Sequence, residues 1–142
     1  HFIFAGNRGA NGIDGQVSSF LGGTDRNLEN WGIFGDLTAL YDLASLALKP
    51  IIQDRIIRIV IINNSGGMIF KEMFPSQELF LNRHKIDFAH WAKMFGFDYQ
   101  KITSAQDLEC VNTKQWPQHM IIEVVPNAEE SAIFWQKNRE LQ

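Results

Sequence analysis

Asp36 and Asn64 are the residues whose types and spacing most readily do chemistry together. Asp36 follows the run Trp31-Gly32-Ile33-Phe34-Gly35, and Asn64 sits in Asn63-Asn64-Ser65-Gly66-Gly67, directly after Ile56–Ile62. Both clusters come just after an apolar, β-branched or aromatic run, so both lie past the C-terminal end of a strand. In a parallel sheet those ends share one edge, the edge at which ligands bind. The clusters are separated by roughly 30 residues, the length of one right-handed crossover. A carboxylate from Asp36, an amide oxygen from Asn64 and the backbone carbonyl of Gly66 form a hard-oxygen set of the kind magnesium takes. Three protein oxygens leave room for phosphate oxygens and water, so the motif suits a metal that pins a diphosphate. The amides of Leu37 and Thr38, at the start of the following helix, aim its positive end at the same anion. Taken singly, Gly-Asp after a strand is an ordinary turn and Asn-Asn-Ser-Gly-Gly an ordinary loop. Their joint occurrence at this spacing favours a ligand site.

A second cluster, Asn7-Arg8-Gly9-Ala10-Asn11-Gly12-Ile13-Asp14-Gly15, follows the first apolar run. Its glycines do not match the dinucleotide Gly-x-Gly-x-x-Gly spacing, and the chain holds no Walker-type Gly-Lys-Ser/Thr. Arg8 on this loop would present a guanidinium fork to a carboxylate, or else be a solvated loop arginine. Other chemistries fare worse. His1, His84, His90 and His119 are scattered without the spacing of a zinc pair. Ser18, Ser19 and Ser104 lack a Gly-x-Ser-x-Gly setting, and Ser104 reads better as a helix cap.

The elements that must position these groups alternate between short apolar runs and helical patterns, which implies an α/β fold: three layers, a mostly parallel sheet with helices on both faces. Strands are predicted at Phe2–Ala5, Asn30–Phe34, Ile56–Ile62, Phe97–Ile102 and His119–Val125. Ile56–Ile62 is almost wholly apolar without alternation, as a central strand buried on both faces should be. Helices are predicted at Ile13–Leu21, Thr38–Leu48, Phe88–Phe95, Ala105–Cys110 and Ala128–Leu141. Asp87 can cap the third and Gly96 end it, Asn127 with Glu130 resembles a capping box, and Pro50 is expected to stop the second. That second helix is apolar around most of its circumference, so its outer face is expected to meet another domain or subunit. Trp91, Phe95 and Trp135 read as core or interface aromatics. The longest irregular stretch, Phe74–Lys85, is the expected mobile segment.

With 142 residues, residues 1–142 read as one domain. Thirteen Lys plus Arg against sixteen Asp plus Glu, a net charge of −3, leave no broad basic face for a nucleic-acid backbone. The single cysteine, Cys110, excludes an intrachain disulfide and fits a reducing cytoplasm, as a packed thiol. No stretch approaches the roughly 20 apolar residues of a membrane span. The chain opens on His1-Phe2-Ile3-Phe4-Ala5 without Met, as expected of a piece of a longer protein.

The pairing of Gly35-Asp36 with Asn63-Asn64 resembles the thiamine diphosphate and magnesium motif of thiamine-dependent enzymes. Asn7-Arg8-Gly9-x-x-Gly12-Ile13-Asp14-Gly15, Gly35-Asp36-Leu37-Thr38-Ala39-Leu40-Tyr41-Asp42-Leu43 and Asn63-Asn64-Ser65-Gly66-Gly67-Met68-Ile69-Phe70 resemble one branch, the 2-succinyl-5-enolpyruvyl-6-hydroxy-3-cyclohexene-1-carboxylate synthases of menaquinone biosynthesis. Two positions depart from the wider superfamily. Leu37 replaces a third glycine, although Leu followed by Ser or Thr is this branch's pattern, and Ser65 replaces a common third asparagine.

The resemblance implies a C-terminal, diphosphate-binding domain of a three-domain transferase. Asp36, Asn64 and the Gly66 carbonyl would hold Mg2+. Ile13, Asp36, Leu37, Thr38, Asn64, Gly66, Gly67, Met68 and Ile69 would meet the cofactor, Ile13 propping thiamine in its bent form. Arg8, Ile69 and Phe70 would meet substrate. The implied reaction decarboxylates 2-oxoglutarate and adds its succinic semialdehyde unit to isochorismate. The family's activating glutamate lies in the N-terminal, pyrimidine-binding domain of a partner subunit, so no catalytic acid or base is expected in this chain and the isolated fragment would be inactive. A homodimer or homotetramer is implied. The rival expectations are a sibling thiamine enzyme, of the acetolactate synthase or 2-oxo acid decarboxylase type, and a non-catalytic nucleotide-binding α/β module.

Overall fold

The computed structural model describes residues 6, 12–71, 73, 78–111 and 115–140, with the side chains of 110, 111, 139 and 140 left aside. The predicted strand Phe2–Ala5, Arg8 and the side chain of Cys110 lie outside the described residues. The order is α1 (Gln16–Gly22), β1 (Glu29–Gly35), α2 (Asp36–Tyr41), a 3-10 run over Leu43–Ile51, β2 (Ile56–Ile62), short 3-10 turns at Met68–Phe70 and Glu78–Leu81, α3 (Ala89–Phe95), β3 (Asp98–Ile102), α4 (Ala105–Val111), β4 (His119–Val124) and α5 (Ala128–Glu140). Four strands pair in the order β1-β2-β4-β3, all parallel. The α/β reading holds, and β2 has the predicted bounds.

The central position of β2 follows from its composition. Ile57, Ile59 and Ile61 are fully buried and join Val17, Leu21, Ala39, Leu46, Phe88, Trp91 and Ala92 in the main core, so α1, α2 and α3 cover this face. Ile122, Met120 and Ile102 form a smaller cluster on the opposite face, flanked by Val60, Trp116 and Val124. Arg58 of β2 is buried on that side. Its Nε lies 2.8 Å from Glu29 Oε1, and its guanidinium donates to the Pro117 and Gln118 carbonyls at 2.6 and 3.0 Å. A cation buried this way needs such partners.

The predicted helix Thr38–Leu48 is corrected. It starts at Asp36, runs six residues, and gives way at Asp42, whose backbone leaves helical geometry (φ −127°, ψ 35°). The cause is distant in sequence: the Asp42 carboxylate accepts from the Ser18 N–H at 2.7 Å and the Ser18 hydroxyl at 2.8 Å, tying the chain to α1. Pro50 does not stop this segment; it sits inside the following 3-10 run. Asp36, Ala39, Ser45 and Leu46 of the segment are buried, and Tyr41 and Leu43 are exposed.

The predicted caps form at Gly96, Ser104 and Asn127, whereas the N-cap of α3 is Phe88 and Asp87 stands one residue ahead of it. Ala89 N–H donates to Asp87 Oδ1, Gly96 takes the left-handed conformation (φ 68°), and the Glu129 and Glu130 N–H groups donate to Asn127 Oδ1. Ser104 Oγ accepts from Asp107 N–H while Asp107 Oδ2 accepts from Ser104 N–H, a reciprocal box at α4. Trp91 is core, with its Nε1 donating to the Leu43 carbonyl, Phe95 is half-buried, and Trp135 is exposed.

His119 opens β4, buried against the Phe97 ring with Nε2 3.3 Å from the Ile52 carbonyl. Burial depresses its basicity below the ordinary value of 6.5, the Ile52 hydrogen bond partly opposing it and the Lys49 charge adding to it. Below about pH 6.5 the unfolded chain therefore takes up a proton that the native chain refuses, and stability falls until the folded value is reached. In urea denaturation, His119→Gln should lose less stability than the parent chain between about pH 7 and about pH 5.

Candidate functional site

The register places the site. Gly35 pairs with Ile62 at the ends of β1 and β2, so Asp36 and Asn63-Asn64 emerge side by side at the C-terminal edge. Asp36 is 2% exposed. Its Oδ1 accepts from the Leu37 N–H at 2.7 Å and its Oδ2 from the Gly66 N–H at 2.9 Å. The second bond joins the turns that follow two neighbouring strands, and it brings Asp36 and Gly66 together as the spacing predicts.

The turn after β2 is built from its own polar groups. Asn63 extends the ladder by donating its N–H to the Val124 carbonyl at 2.8 Å, and its side-chain oxygen accepts from the Ser65 N–H at 3.2 Å. Ser65 and Gly66 both turn through positive φ, 65° and 135°. At Gly66 a Cβ would collide with the Leu81 carbonyl oxygen, so this position needs glycine for space as well as for conformation. Gly67 N–H donates to that same carbonyl at 2.6 Å, which ties the 3-10 turn Glu78–Leu81 beneath the site. Within the expected mobile segment, Leu81 is thereby tied to the turn; residues 74–77 lie outside the described residues.

Asn64 is exposed, and among the described residues its side chain makes no hydrogen bond. It is thus free to turn toward a ligand. The Gly66 carbonyl accepts from the Met68 N–H at 2.8 Å and keeps a second lone pair. Leu37, Thr38 and Met68 are half-buried around the turn and Gly67 is buried, with Leu37 and the Phe70 ring closest to where a Gly67 Cβ would lie. Ile13 is exposed just ahead of α1. Ile69 is 72% exposed and Phe70 partly so.

His84 enters the site although its sequence position gave no metal-like spacing. Its Nε2 lies 3.2 Å from Asp36 Oδ2, outside hydrogen-bonding geometry, and has no hydrogen-bond partner although buried. Sequence reasoning also missed Glu123, fully buried on β4 behind Asn63. Its signal was an acidic residue inside the apolar run His119-Met120-Ile121-Ile122-Glu123-Val124-Val125. No group of three or more His, Cys, Asp or Glu side chains among the described residues is placed to hold a metal. A mixed set of one carboxylate, one amide and one carbonyl remains, which is hard and oxygen-only. That set, with a buried carboxylate and an orphaned imidazole nitrogen beside it, fits magnesium with a phosphate ligand.

In structure, the chain is similar to the thiamine diphosphate-dependent 4-hydroxybenzoylformate decarboxylase of Rhodococcus jostii RHA1, with a TM-score of 0.56 and 20% identity over 79% of this chain and 22% of that one. The parallel sheet and this likeness define an α/β domain of the thiamine diphosphate-binding fold. No family model matches. In sequence, the chain is 48% identical, over 94% of its length, to the 2-succinyl-5-enolpyruvyl-6-hydroxy-3-cyclohexene-1-carboxylate synthase of Bdellovibrio bacteriovorus. It is 36% identical over 88% to the synthase of Akkermansia muciniphila and 38% over 89% to that of Proteus mirabilis. It spans about a quarter of the length of these curated relatives, and its similarity is to that part of the synthase.

The two positive-φ residues give opposite expectations. A left-handed non-glycine residue costs roughly 1–2 kcal/mol, less for asparagine, so Ser65→Asn should stabilise the protein by up to about 1 kcal/mol. Gly66→Ala should destabilise it by at least about 1–3 kcal/mol, through strain and the Leu81 collision. Denaturant unfolding of both variants checks the pair.

Proposed function

We propose that this chain is the diphosphate-binding domain of a 2-succinyl-5-enolpyruvyl-6-hydroxy-3-cyclohexene-1-carboxylate synthase, a menaquinone-pathway transferase that decarboxylates 2-oxoglutarate and joins the succinic semialdehyde unit to isochorismate. The observation that supports it most is the Asp36–Gly66 contact at the sheet edge, in a chain 48% identical to a synthase of that name.

Asp36, the Asn64 amide oxygen and the Gly66 carbonyl would hold Mg2+, and through it the cofactor diphosphate. When bound, thiamine diphosphate supplies the electron sink that lets a 2-oxo acid lose carbon dioxide. The chain's own part is binding and orientation. Asp36 brings the negative charge that offsets the cation, and its burial keeps water from competing for it. Leu37, Thr38, Gly67 and Met68, on the two turns, would hold the diphosphate, and Ile13 would support the thiamine rings. Arg8 offers paired donors to a substrate carboxylate, and Ile69 with Phe70 offer apolar contact. The exposure of Ile13, Ile69 and Phe70 suits surfaces completed by an N-terminal, pyrimidine-binding domain of a partner subunit, in a homodimer or homotetramer. That domain would also bring the catalytic glutamate, leaving this chain without an acid or base of its own. Among the described residues no helix is long and apolar enough to cross a membrane, and the reading places the enzyme in the cytoplasm.

Carbon dioxide release by the complete protein, supplied with magnesium and thiamine diphosphate, tests the proposal. Release from 2-oxoglutarate stimulated by isochorismate is expected. Release from pyruvate instead would move the protein to a sibling enzyme, and release from neither would overturn the assignment.

A further inference from the structure

Behind the ligand turn lies a buried carboxylate that the proposed function does not use. Glu123 is 0% exposed. Its Oε1 accepts from Asn63 Nδ2 at 2.6 Å, and its Oε2 accepts from the Phe88 N–H at 3.0 Å and from the Tyr99 hydroxyl. Burial first, and the neighbouring Glu123 carboxylate second, hold the Tyr99 phenol well above its ordinary range, so it stays a donor. A buried acidic group is costly unless its oxygens are satisfied, and here three donors from three segments converge on it.

The consequence is directional. An amide side chain has one donating and one accepting end, and a carboxylate accepts only. Facing Glu123, Asn63 must present its nitrogen, which also donates to the Ile86 carbonyl at 2.9 Å. Its oxygen is then left to accept from the Ser65 N–H, the bond that shapes the Ser65-Gly66 turn and delivers Gly66 N–H to Asp36. We propose that Glu123 is a positioning residue for the metal-binding turn: it fixes which way the Asn63 amide faces, and through Asn63 it sets Asn64 and Gly66 against Asp36. The inference rests on reading Asp36, Asn64 and Gly66 as the ligands.

A Glu123→Gln change would set a second amide nitrogen against Asn63 or withdraw the acceptor from Phe88. An Asn63→Asp change would set two carboxylates face to face. Together the two changes restore a donor–acceptor pair with polarity reversed. The introduced glutamine then donates to the introduced aspartate and accepts from Phe88 and Tyr99. The aspartate still accepts from Ser65, but its other oxygen now faces the Ile86 carbonyl, acceptor against acceptor, so the restoration is partial.

The test is calorimetric titration of thiamine diphosphate, with and without magnesium, into the complete protein and its Glu123→Gln, Asn63→Asp and doubly substituted forms, with a thermal melt of each. Wild-type binding that does not depend on magnesium would refute the functional reading itself. Given magnesium-dependent binding, each single substitution should weaken it by about 10–100-fold, the usual loss for an outer-shell partner. The double variant should bind more tightly than either single variant, short of wild type because the Ile86 carbonyl now faces a carboxylate. Wild-type affinity in Glu123→Gln would overturn the inference, as would a folded double variant that binds no better than the singles.

Discussion

The hydrogen bond from Gly66 N–H to Asp36 Oδ2 joins the two turns that follow β1 and β2, and most of what surrounds it exists to let that contact form. A parallel sheet brings the strand ends to one edge, but the turns beyond them are free to diverge. Here they converge because the buried Asp36 takes backbone N–H donors from both sides. The positive φ of Ser65 and Gly66 follows from the same demand, as does the absence of a side chain where Leu81 crosses beneath. The result is a buried carboxylate closed by backbone amides, with the exposed Asn64 side chain beside it.

Packing supports this edge from behind. Ile57, Ile59 and Ile61 anchor β2 in the main core, so the turn that follows β2 starts from a fixed point. Glu123 fixes Asn63, Phe88 and Tyr99 together, which couples β4, β3 and the start of α3 to the same turn. The 82–88 segment is held by its Ile86 and Phe88 backbone groups, and this holds His84 against Asp36.

Much of this was legible in the sequence where the signal is local. The apolar run Ile56–Ile62 reads as a buried strand and forms one, and the capping residues Gly96, Ser104 and Asn127 act where they stand. Asp36 and Asn64 could be paired because parallel topology converts a separation along the chain into adjacency at an edge. What was not legible depends on long-range contact. Ser18 breaks the second helix at Asp42 from 24 positions away. His84 reaches Asp36 only because the 82–88 segment folds back. Glu123 looked like one more strand residue, although a carboxylate inside an apolar run cannot be buried without converging donors.

The central claim is that Asp36 holds the metal through which the cofactor binds. It is tested most directly by calorimetric titration of thiamine diphosphate into the complete protein and its Asp36→Ala variant, with and without magnesium. The account predicts magnesium-dependent binding in the parent and a loss in the variant beyond the about 10–100-fold expected of an outer-shell residue. Equal affinity in the two proteins would contradict it.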